Sequence, residues 1–91
     1  MTRTIVLEAE KLKTRSLMME YMDEVLDLPS GSVLNQDTLH DYLIEDTTET
    51  VMILTQPNAQ SVTSSKYGYR TLMTIADAAE INPHLHLRFE K

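Results

Sequence analysis

Asp37 and Asp41 stand one helical turn apart with His40 between them, the arrangement in this chain that most directly suggests chemistry. Paired carboxylates do two kinds of work. They move protons beside a reacting group, or they hold cations through charge-assisted hydrogen bonds. The first use finds no supporting residues. No Ser-His-Asp set or nucleophile elbow accompanies the pair, and with Gly31 and Gly68 as the only glycines no phosphate-cradling loop can be built. His84 and His86 fall on the same side of a predicted strand, as two zinc ligands can, but no third or fourth ligand is evident near them and His40 is distant in sequence. The lack of cysteine removes thiolate metal sites, disulfides and a thiol nucleophile together. The expectation is a protein that is not an enzyme and carries no metal or cofactor, its carboxylates being used for binding.

The distribution of charge gives that expectation a direction. The formal net charge is −6. Between Ser16 and Ser65 lie nine acids and no Lys or Arg: Glu20, Asp23, Glu24, Asp27, Asp37, Asp41, Glu45, Asp46 and Glu49. The remaining 41 residues hold eight bases and five acids, a balance of +3. A field of that sign repels nucleic acid and anionic membranes and attracts basic proteins. Asp37 and Asp41 also repel each other at i,i+4, at about 0.2–0.5 kcal/mol. Asp37 regains part of this from the helix N-terminal dipole. A chain serving only its own stability would place Lys or Arg at one of these positions.

The elements that must carry these residues follow from periodicity. At 91 residues the chain is expected to form one domain, 1–91. Thr4 to Leu7 is β-branched and predicts a strand, followed by a polar turn through Glu10 to Lys13. Arg15 to Leu26 has helical spacing, with Leu17, Met18, Tyr21, Met22 and Val25 on the buried face and Thr14 or Ser16 as cap. Pro29 and Gly31 open a loop. A second helix is predicted at Gln36 to Glu45, capped by Asn35, with Leu39, Tyr42 and Leu43 inward. On this helix Asp37, His40 and Asp41 share another face, with Glu45 one turn on. Thr50 to Thr55 predicts a buried central strand, and Gln56 to Lys66 a mobile polar loop. A third helix is expected from Tyr67 or Tyr69 to Glu80, with Leu72, Ile75, Ala76 and Ala79 buried, ended by Asn82-Pro83. His84 to Phe89 alternates like an edge strand. The predicted fold is α/β, order β-α-α-β-α-β, with a three-stranded parallel sheet packed with helices. The longest strongly apolar run, Val51 to Leu54, is far short of the roughly 20 residues that span a bilayer. The first residues contain no apolar stretch of signal-peptide length. Secretion and membrane insertion are therefore not expected, and a cytoplasmic location is.

One stretch resembles a known family. Leu28-Pro29, then Asn35-x-Asp37-x-Leu39-x-Asp41-x-Leu43, is similar to the barstar family of intracellular ribonuclease inhibitors, in which a Leu-Pro pair opens a loop and N-x-D-x-L-W-D-x-L follows on a short helix. The spacing from Pro29 to Leu43 matches without a gap. More loosely, the element order over the whole chain is similar, and the ending His86-Leu87-Arg88-Phe89 resembles some bacterial members.

The resemblance implies an inhibitor or immunity protein, monomeric when free, that inserts its acidic helix and the preceding loop into the cleft of a basic ribonuclease or nuclease toxin. It implies no direct contact with nucleic acid. Carried over, Asp41 is the main phosphate mimic and Asp37 its neighbour, and Asn35 shapes the helix start. Gly31, Thr38, His40 and Glu45 complete the partner-facing set, and Asp77 or Glu80 brings further acid from the last helix. The departures are also plain. Gly31 and Ser32 stand where many members have tyrosine, and His40 stands where the family has tryptophan, so aromatic anchors are missing. The alternative is an acidic adaptor or nucleic-acid mimic that binds a basic protein without inhibiting a nuclease.

Overall fold

The computed structural model describes residues 2–28 and 35–91. In chain order these form β1 (Arg3–Val6), a short 3₁₀ turn (Ala9–Leu12), α1 (Arg15–Leu26), α2 (Gln36–Glu45), β2 (Thr50–Thr55), α3 (Gln56–Thr63), α4 (Lys66–Ile81) and β3 (Leu85–Glu90). The three strands make one parallel sheet in the order β1-β2-β3, as expected for strands joined through helices. Thr14, not Ser16, caps α1, its hydroxyl accepting from the Leu17 N–H at 3.2 Å. α1 ends at Asp27, which adopts a left-handed conformation (φ 53°) and so needs no glycine to stop it. The loop positions Pro29, Gly31 and Ser32 lie outside the described residues.

Both crossovers run the same way across the sheet, β1 to β2 and β2 to β3, so right-handed connections bring all helices to one face. Burial follows this rule. Registered neighbours Ile5 and Met52 are buried, as are Thr50 and Leu85, on the helix side. The alternate residues Thr4, Val51 and His86, and then Val6, Ile53 and Arg88, form rows on the other face and are exposed or half-buried. β2 is therefore buried on one side only, with strict alternation from Thr50 to Thr55. β2 is the central strand, as expected, with Thr50, Met52 and Leu54 buried and Val51, Ile53 and Thr55 half-buried.

Three expectations are corrected. Gln56 to Lys66 is not a loop: Gln56–Thr63 is the helix α3. Pro57 falls in its first turn, where a missing N–H costs nothing, and Val62 is fully buried against the core. One apolar side chain per two turns is too thin a stripe to show as periodicity. On α1, Leu17 is 41% exposed, and Leu26 takes its place in the core. On α4 the buried stripe is Leu72, Ile75 and Ala78, with Thr71, while Ala76 and Ala79 are only partly covered.

Arg3 is the main polar tie between layers. Its guanidinium donates to the Leu26 carbonyl at 3.1 Å and to the hydroxyl of Thr50 at 3.0 Å, and it pairs with Asp46. One side chain thereby joins β1, the end of α1, the end of α2 and the start of β2. The pair is shielded, with side-chain exposures of 22% and 13%.

Gly68, in the first turn of α4, allows α3 and α4 to meet closely. A Cβ there would lie 3.0 Å from both Val62 Cγ2 and the Val62 carbonyl oxygen. In an open helix a Gly→Ala change gains about 1 kcal/mol. Here the clash outweighs that gain, and Gly68→Ala is expected to lower unfolding free energy by about 1–3 kcal/mol. A urea melt decides the matter, since an unchanged or raised midpoint would show that the neighbours simply move aside.

Candidate functional site

α2 is defined at its start by a reciprocal cap. The Asn35 side chain accepts from the Thr38 N–H at 2.9 Å, and the Thr38 hydroxyl accepts from the Asn35 N–H at 2.8 Å. Leu39 and Leu43 are buried and fix which face points out. Asp37, Asp41 and Glu45 are exposed. None of the three makes an ion pair with a described residue.

Gln36 sets where that helix lies. Its amide donates to the Thr71 hydroxyl at 2.8 Å and its carbonyl accepts from the Thr74 hydroxyl at 2.9 Å, so one side chain binds two successive turns of α4. At the other end, the buried Asn82 donates to the carbonyls of Leu43 at 2.7 Å and Asp46 at 2.8 Å. These are among the last carbonyls of α2, which a helix leaves without internal partners. α2 is thus held to α4 and its C-cap at both ends.

Between the two helices runs an open groove of about 320 Å³, lined by Gln36, Asp37 and His40 from α2 and by Tyr69, Arg70, Met73, Thr74 and Asp77 from α4. Tyr69 and Met73 are 48% and 43% exposed. Of the residues expected at a partner-facing site, Asn35, Asp37, Thr38, His40, Asp41 and Glu45 are gathered by α2, and Asp77 faces Asp37 and His40 across the groove. Glu80 is not with them. It lines a separate groove with Leu85, His86, Leu87 and Arg88, toward β3. Gly31 lies outside the described residues. Gln36, Tyr69, Arg70 and Met73 were not anticipated. The signal for Tyr69, Met73 and Asp77 was their i,i+4 spacing on the side of α4 away from Leu72 and Ile75.

Two of the nine clustered acids are used internally. Asp46 pairs with Arg3. Glu49 is hydrogen-bonded to His86, one carboxylate oxygen lying 2.5 Å from its Nε2, and its other oxygen is within ion-pair reach of His84 Nδ1 at 3.6 Å. The histidines are thus held by a carboxylate, and among the described residues no group of three or more His, Cys, Asp or Glu is placed to hold a metal ion. None of the described helices is long and apolar enough to cross a membrane. No protein-family model matches the chain, and no curated protein matches it.

Two measurements test this arrangement. Gln36→Ala removes two hydrogen bonds, while the Thr71 hydroxyl keeps its bond to the Tyr67 carbonyl at 3.0 Å. No buried group is stranded there, so the expected loss is about 1–2 kcal/mol in a urea melt, with faster amide exchange at Thr38 and Leu39. A loss within error would mean that packing alone seats the helix. The second concerns pH. The hydrogen bond from His86 holds the Glu49 carboxyl below its ordinary range, with His84 adding to the effect against a smaller opposing influence of burial. A carboxyl depressed in the folded state stabilises the fold above its unfolded value of about 4.3 and loses that contribution as pH falls through the folded value. The stability difference between the parent and Glu49→Gln should therefore be present just above about pH 5 and shrink as pH falls below it. In a carboxyl NMR titration, His86→Ala should raise the Glu49 midpoint, because the largest depressing contact is removed.

Proposed function

We propose that the protein is an inhibitor of a basic ribonuclease, acting as barstar-like proteins do, with α2 entering the nuclease cleft. The observation that carries this reading is that Asp37 and Asp41 are exposed on a helix fixed at both ends and are left without a cationic partner among the described residues. RNA-cleaving clefts are positive because they bind a polyanion. Carboxylates held in such a cleft replace phosphates through charge-assisted bonds to Arg and Lys. The same field speeds the encounter, which makes association salt-dependent. In this reading Asp41 is the central phosphate mimic, with Asp37, His40 and Asp77 beside it, and the protein is a cytoplasmic bacterial immunity protein that is monomeric when free.

The second reading, an acidic adaptor for a basic protein that is not silenced, draws on one observation: His40 leaves α2 without the family's aromatic anchor. Tyr69 and Met73 offer apolar contact across the groove instead, which a ribonuclease complex can use.

Asp37→Ala combined with Asp41→Ala separates the readings. The double variant should keep the far-ultraviolet dichroism of the parent and lose inhibition of its small basic ribonuclease by about 100-fold or more, at about 1.5–3 kcal/mol for each charged hydrogen bond. Parent inhibition should weaken steeply from low to high salt. Undiminished protection of RNA by the double variant rejects the inhibitor reading. Capture of a basic protein without any effect on RNA cleavage supports the adaptor.

A further inference from the structure

Next to the acidic groove is a pocket of the opposite kind. Arg15 from the first turn of α1 and Arg70 from α4 line a pocket of about 310 Å³ together with Asn35, Gln36, Asp37 and Tyr67. Neither arginine makes an ion pair with a described residue. In a chain of net charge −6, Arg3, Lys11, Lys13 and Arg88 pair with the chain's own acids, whereas Arg15 and Arg70 stand together, unpaired with any described acid, in one pocket beside an acidic helix. Tyr67 lines the same pocket, and its hydroxyl end is shielded from solvent. The hydroxyl of Tyr67 is the one buried side-chain polar atom among the described residues that has no hydrogen-bond partner. A buried O–H without an acceptor is uncommon in folded proteins, and what it lacks is an oxygen to donate to.

We propose that this pocket receives a carboxylate from the bound partner, held by Arg15 and Arg70 with Tyr67 as neutral donor. The inference rests on the reading of α2 as partner-facing and specifies what that partner must carry. The surface is bipolar. Asp77 and Asp37 form its negative end, with Asp41 and Glu45 further along α2, and Asp37 is shared with the positive end at Arg70 and Arg15. A cationic surface without acids would place its charges against two arginines, which like-charge repulsion opposes. A surface presenting an acidic side chain beside its cations fits both ends at once, and in one orientation only. The arginines thus serve discrimination: they admit a cleft of mixed charge and reject simple polycations.

The test uses the whole chain and two unstructured peptides of equal length and equal net positive charge. In one, lysines are the only charged residues; in the other, additional lysines are balanced by glutamates. Binding is followed by chemical-shift titration at low salt. The parent should bind the glutamate-containing peptide about two- to fivefold more tightly, as expected for partly exposed ion pairs. Arg15→Gln combined with Arg70→Gln should remove that preference, and Tyr67→Phe should reduce it. Arg88→Gln, a base on the far strand paired with Glu90 at 3.0 Å, should leave it intact. The inference is overturned if the parent shows no preference or binds neither peptide, if the double arginine variant keeps its preference, or if Arg88→Gln abolishes it equally. The underlying reading is judged separately: Asp37→Ala with Asp41→Ala must weaken the binding of both peptides, whatever the preference between them.

Discussion

Two side-chain amides hold α2 in place, and the acidic surface depends on them. Gln36 ties the first turn of α2 to α4 in both directions, donating and accepting, and Asn82 closes the last turn from below. A short helix of ten residues has little stability of its own, since isolated helices below about 12–15 residues are marginal in water. Its outward face carries acids that repel one another. The ties to its neighbours are what allow that face to be presented as a fixed pattern. An interface that relies on charge needs such rigidity, because disorder in the carboxylates would return the entropy cost at the moment of binding.

The interior of the sheet side is built on a different compromise. Arg3 draws together the ends of two helices and the starts of two strands, and in doing so it consumes Asp46. Glu49 is likewise consumed by His84 and His86. The acids nearest the sheet therefore serve the fold, and those on α1, α2 and α4 make no ion pair with a described residue. The division is spatial: a nearly self-neutral strand side and a negative helical side, with the two arginines of the mixed pocket set at the border of the latter.

Much of this was legible in the residues. Thr14 and Asn35 marked helix starts because a capping side chain acts within three residues of itself. Asn82-Pro83 marked a helix end for equally local reasons. The run of acids predicted the charged face, and the alternation in His84 to Phe89 an edge strand. What escaped was non-local or weakly patterned. Leu17 was placed inside because helical spacing cannot say where the apolar arc ends; only the neighbours decide. α3 carries one buried valine and a proline, so its polarity concealed it. The bond from Gln36 to Thr71 and Thr74 joins residues 35 and 38 positions apart, and the pairing of Asp46 with Arg3 spans 43. Such separations leave no trace in composition or period.

The uncovered side of the sheet has a practical meaning. Thr4, Val51 and His86, with Val6, Ile53 and Arg88, lie on the face opposite the buried row, and none of them lines the groove beside α2. Changes there meet water and not a packed layer. A single cysteine introduced at Thr4 would give a handle for a fluorophore or a sensor chip that leaves the helical surface open to whatever approaches it. The same bareness leaves a small apolar strip of Val6 and Ile53 in contact with solvent, and a shift toward bulkier side chains in those rows would be felt first as poorer solubility at high concentration.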